Sequence, residues 1–88
     1  MNINTDDLKK KIIYRSNYRG TKEMDTLIGS FTKKYINTFN DNELKCLLEL
    51  LNLDDENLYK FNQGEDFFVN IKKNKVSDLF KNFIYEDL

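Results

Sequence analysis

The residues with chemistry to offer are concentrated between positions 15 and 25, which read Arg15-Ser16-Asn17-Tyr18-Arg19-Gly20-Thr21-Lys22-Glu23-Met24-Asp25. Two arginines, a glycine and two carboxylates within eleven residues suggest one of two chemistries. Paired carboxylates can serve as general acid and base, provided a cavity shifts the pKa of one of them. An arginine fork, a glycine that admits close backbone approach and a carboxylate fixed on a helix's first turn instead make a recognition point for another protein. The second asks less of a small chain. Other catalytic chemistries lose their reagents outright. The 88 residues include no His and one Cys, Cys46, so a Cys/His zinc cluster, a Ser-His or Cys-His nucleophile and an internal disulfide are all excluded.

The elements that must position these residues are helices. Apolar residues recur at spacings of three and four, and there is no Pro and no Asn-Gly hairpin signal. A first helix is expected from Asn4 or Thr5, with Asp6 and Asp7 in its first turn and Leu8, Ile12 and Ile13 buried. It should stop before Gly20, which can take the positive φ that ends a helix, and Thr21 is placed to cap the next. That second helix, about 22–36, carries Met24, Leu27, Ile28, Phe31 and Tyr35 on one stripe. On such a helix Glu23 and Asp25 fall on opposite borders of the buried face, beside Arg19, and either could pair with it. A third helix should begin at a capping box from Asn40 to Glu43 and bury Leu44, Leu47, Leu48 and Leu51. Asp54 looks like the cap of a short fourth helix with Leu58, Tyr59 and Phe61, closed by Gly64. Beyond Gly64 the aromatic segment Glu65 to Lys73 is followed by Val76, Leu79, Phe80 and Phe83 at helical offsets, one helix or two, with Asn74 and Lys75 either interrupting it or lying on its exposed side. The expected fold is a single all-α domain over 1–88, a compact bundle of about five helices with residues 85–88 frayed.

Charge is unevenly distributed. Residues 1–35 hold eight basic and four acidic groups, whereas 36–88 hold six and eleven. Lys9, Lys10, Lys11, Arg15, Arg19 and Lys22 form a run without an acid, which suits a solvated helix face, phosphate or an acidic protein surface. Nucleic acid is not the expected partner, because the chain holds only two Arg and its pI is near 5.4. No run of about 18 apolar residues exists, so membrane insertion is not expected. The polar start, with Asp6 and Asp7, is unlike a signal or transit sequence, and a bacterial cytoplasmic location is the expectation.

The segment Arg19-Gly20-Thr21-Lys22-Glu23-Met24-Asp25 resembles the Arg-Gly-x-x-Glu motif, usually with Asp two positions later, of the succinate dehydrogenase flavinylation factors. These are small assembly proteins of bacteria and mitochondria that promote covalent FAD attachment. Tyr14-Arg15-Ser16 is similar to the family's aromatic-Arg-Ser entry to the motif, and Leu27 and Phe31 sit where its second helix is apolar. Leu58-Tyr59-Lys60-Phe61-Asn62-Gln63-Gly64 resembles its Asp-Leu-x-x-Trp-x-x-Gly block, with Asn57 for the Asp and Phe61 for the Trp. Tyr18 stands where the family commonly has a second basic residue, and after Gly64 the likeness fades.

The resemblance implies a helical bundle that binds the flavoprotein subunit of succinate dehydrogenase, and in some settings that of fumarate reductase, before the iron–sulfur subunit joins. The covalent bond joins a histidine of that partner to FAD; the factor has no cofactor of its own and is not an enzyme. Arg19, Gly20 and Glu23 would lie at the contact, with Asp25 in support and Arg15 and Tyr59 completing it. The reading from another class is a generic helical interaction module, an adaptor or inhibitor, that associates through its Leu-rich third helix or aromatic C-terminus.

Overall fold

The computed structural model describes residues 4–65 and 71–84. Five helices and no strand are found among them: α1 (Thr5–Asn17), α2 (Lys22–Tyr35), α3 (Asp41–Leu51), α4 (Asp55–Asn62) and α5 (Lys75–Lys81). The chain is a small all-α bundle in which α1 packs on α2 and α3, while α5 packs on α3 and α4.

Each helix starts where a short polar side chain can accept from an otherwise unpaired backbone amide. Asn4, Thr21, Asn40 and Asp54 cap α1 to α4. The capping box at Asn40 and Glu43 is complete, each residue's side chain accepting from the other's backbone amide at 2.9 Å. The boundary left open by the sequence is settled by Asn74, which caps α5 by accepting from the Ser77 amide while the Ser77 hydroxyl accepts from the Asn74 amide. Gly20 and Gly64 take φ of +107° and +74°, the left-handed conformations expected between α1 and α2 and after α4.

The core is centred on Phe31, which is fully buried. Its ring meets Phe80 and Phe83 edge-on at 5.2 and 5.3 Å, and Tyr35 at 5.0 Å, so one α2 residue ties α2 to α5. Two expectations about the core need correction. Ile13 is exposed, and the third buried position of α1 is Ser16, because the apolar stripe of this helix runs strictly every four residues from Leu8 through Ile12. The Ser16 hydroxyl donates to the Ile12 carbonyl and shares a 2.7 Å bond with the Thr32 hydroxyl across the α1–α2 contact, so burial leaves neither group unsatisfied. In α3, Leu50 takes the fully buried place expected of Leu48, which is half-buried. The aromatic stretch around Phe67 and Phe68, and the expected fraying of 85–88, lie outside the described residues.

Candidate functional site

The sequence singled out the link between α1 and α2, and that link turns part of its charge inward. α3 ends without a basic residue in its last turn, leaving carbonyls at the negative end of the helix dipole. Two arginines from elsewhere supply the missing donors. Arg15, in the last turn of α1, donates to the Asn52 side chain at 2.7 Å and, more weakly, to the Leu51 carbonyl at 3.4 Å. Arg19 uses its whole fork: Nη1 donates to the Leu51 carbonyl at 2.8 Å, Nη2 to the Leu53 carbonyl at 2.5 Å, and Nε to Asp55 Oδ1 at 2.9 Å. Its side chain is only 11% exposed, against 25% for Asp55.

Neither neighbouring acid pairs with the Arg19 guanidinium, contrary to the pairing the spacing suggested. Asp25 accepts from the Arg19 backbone amide instead, bracing the turn from the first turn of α2. Glu23, two residues earlier, is exposed, and its side chain makes no hydrogen bond or ion pair among the described residues. The acids at the start of α2 therefore divide their work: Asp25 holds the link in shape and Glu23 faces solvent. Gly20 lies between them and the arginine, exposed, with no atom within 4 Å of the place a Cβ would occupy.

Glu23 stands on the rim of an open cleft of about 570 Å³, shared with Leu27, Tyr59, Gln63, Phe83 and Ile84. Tyr59 is 49% exposed and Ile84 76%. Asn62, which also lines the cleft, ties α4 to its Phe83 side: its buried side-chain amide donates to the carbonyls of Phe80 and Phe83 at 2.8 and 2.9 Å. Of the six residues picked from the sequence, Gly20, Glu23 and Tyr59 thus lie on the surface, with Glu23 and Tyr59 facing one cleft. Arg19 and Asp25 are placed behind that surface, and Arg15 beside them against α3.

The sequence reading passed over three features of this region. Tyr14 and Tyr18 are both exposed and their rings lie 4.7 Å apart, a pair that the four-residue spacing on α1 and its cap could have suggested. Asp55 and Asn62 carried no such signal, since their partners are distant in sequence. Chemically, the arrangement offers a carboxylate, aromatic faces and an uncovered backbone turn on a rigid support. Those are components of a binding surface; an exposed carboxylate in an open cleft lacks the enclosure that acid–base catalysis uses.

One relative, described as "Succinate dehydrogenase assembly factor 2, mitochondrial", from Arabidopsis thaliana, is 33% identical over 51 residues. The alignment covers 58% of this chain and 27% of that protein, so the chain spans about a quarter of its relative's length. No solved structure matches. Residues 10–84 match the family whose description is flavinator of succinate dehydrogenase, and the match runs through α5, twenty residues beyond the last motif block recognised in the sequence. A match over that span, with the motif on the link between α1 and α2, makes this chain a member of the Sdh5 family, the flavinators of succinate dehydrogenase.

Proposed function

We propose that this protein is an assembly factor that docks on the flavoprotein subunit of succinate dehydrogenase and promotes covalent attachment of FAD to a histidine of that subunit. The observation that carries the reading is the exposure of Gly20 and Glu23, the motif positions that bear no internal load, beside Tyr59 on a firmly braced turn. The factor is not itself an enzyme in this reading. It holds the partner so that the acceptor histidine and the flavin lie near attack distance, and the flavin, bound by the partner, acts as the electron sink. Among the described residues no helix is long and apolar enough to cross a membrane. A bacterial cytoplasmic setting and the flavoprotein of fumarate reductase as a second client are further parts of the proposal, the second resting on the family resemblance alone.

The test is co-expression with a succinate dehydrogenase flavoprotein subunit in cells lacking their own factor, read as flavin fluorescence in a denaturing gel. Wild type should generate a fluorescent band, and Glu23→Arg, which reverses an exposed charge and disturbs no internal bond, should abolish it. Glu23→Gln separates two roles. A band that survives this change assigns Glu23 to docking, whereas complete loss with binding intact assigns it to proton transfer. No band with wild type would remove the flavinylation reading.

A further inference from the structure

We propose that Asp55 is a positioning residue for the flavoprotein contact: with Arg19 it forms a latch that fixes the Gly20–Glu23 turn relative to α4, so that Glu23 and Tyr59 meet the partner as one surface. The inference rests on the docking role proposed above. It starts from a mismatch between motif and exposure. Arg19 belongs to the motif, yet its guanidinium is 11% exposed and spends all three of its nitrogens on Leu51, Leu53 and Asp55. A side chain so committed is poorly placed to reach a partner, and its contribution to docking must pass through what it holds.

What it holds is the relation between the two sides of the cleft. α2 carries Glu23 and α4 carries Tyr59, and these helices pack together far less closely than α1 packs on α2. Direct packing between α2 and α4 therefore does little to set their relative position, which otherwise passes through α5. Among the described residues, the Arg19–Asp55 ion pair joins the turn before α2 directly to the first turn of α4. Asp55 and Tyr59 are four residues apart on one helix and share a face, so a fixed Asp55 also fixes where Tyr59 projects. The neighbouring acid has a different duty: Asp54 accepts from the Asn57 amide and caps α4. On the other side of the arginine, Asp25 accepts from the Arg19 amide, so the latch engages the backbone of the turn as well as the side chain.

The proposal is tested with the full chain, measuring by calorimetry its affinity for a flavoprotein subunit purified from cells without the factor. Amide hydrogen exchange at Arg19 and Asp25, both hydrogen-bonded in the structure, is followed in parallel. Asp55→Leu should weaken binding by about tenfold, the scale of a lost hydrogen bond to a charged group, and should speed exchange at both amides. Asp55→Asn keeps an oxygen for Arg19 Nε and should recover most of the affinity. Leu44→Val, in the buried start of α3 two turns from the latch, serves as a destabilised control and should leave affinity unchanged. Wild-type affinity and exchange in Asp55→Leu would overturn the latch. So would an affinity loss in Leu44→Val equal to that of Asp55→Leu at the same loss of thermal stability. Absence of wild-type binding would instead defeat the docking role, while the exchange rates would still decide whether the latch braces the turn.

Discussion

A guanidinium that donates in three directions at once cannot be replaced by an ammonium. Arg19→Lys leaves a point charge that can approach one or two of Leu51, Leu53 and Asp55, and the remaining acceptors lose their partner in a largely water-free place. The expected cost is about 2 kcal/mol of folding stability, read as a lower urea midpoint with an unchanged slope. Glu23→Gln at the exposed motif position should shift the same midpoint by less than about 0.5 kcal/mol. The contrast measures what residue type alone does not convey. In the sequence, Arg19 and Glu23 are equally conspicuous charges at a fixed spacing. Which one faces inward depends on Asp55, 36 residues away, and on the end of a helix that happens to lack a basic residue of its own.

At the scale of elements, local chemistry was largely sufficient. Asn4, Thr21, Asn40 and Asp54 each announced a helix start, and Gly20 and Gly64 a stop, because a cap is satisfied by amides two or three residues away. The start of α5 was harder to read, since the residue three positions after Asn74 is Ser77 rather than the Glu or Gln of the usual box. The buried polar residues were illegible for a different reason: Ser16 and Asn62 are inside only because Thr32, Phe80 and Phe83 meet them from other elements. Asn62 in turn makes a prediction about α5. Seven residues are too few for a helix to persist without tertiary support, and this one is held at its C-terminal end by the Asn62 amide. Asn62→Ala should cost about 1–3 kcal/mol and confine much of the damage to α5. Hydrogen exchange at Leu79 and Phe80 should then proceed through a local opening, at a free energy below that of global unfolding. Exchange that stays global there would show that Phe31 and the rest of the core hold α5 unaided.

Across the whole molecule, the basic first half and the acidic second half are folded onto one another. Arg15 and Arg19 reach the α3–α4 region and Thr5 donates to Asp41, while within the second half Lys75 on α5 meets Glu43 at 3.0 Å. The basic run from Lys9 to Lys22 is thereby interrupted, since Arg19 turns into the protein and Arg15 is engaged by Asn52 at the end of α3. Glu43 is where charge pairing between α3 and α5 becomes measurable. Its carboxylate accepts from the Asn40 amide and from Lys75, which together hold it below its ordinary value of 4.5, with the Asn40 bond the larger cause. A carboxyl with a depressed pKa in the folded state binds fewer protons there than in the unfolded chain. Its contribution to stability is therefore complete above the ordinary value and lost as pH falls through the folded one. Glu43→Gln keeps an oxygen for the Asn40 amide but forgoes the charge, so the carboxylate's advantage over it should be full above about pH 5.5 and fade as the solution is acidified. Urea midpoints of the two proteins, compared from neutral to acid pH, should converge. Added salt should narrow the neutral-pH gap only in part, because the Lys75 contact is screened while the bond to the Asn40 amide at 2.9 Å is short and local. A gap that stayed constant with pH would mean that folding leaves the Glu43 proton affinity unchanged, and that the helix cap and the α3–α5 ion pair act without regard to its charge.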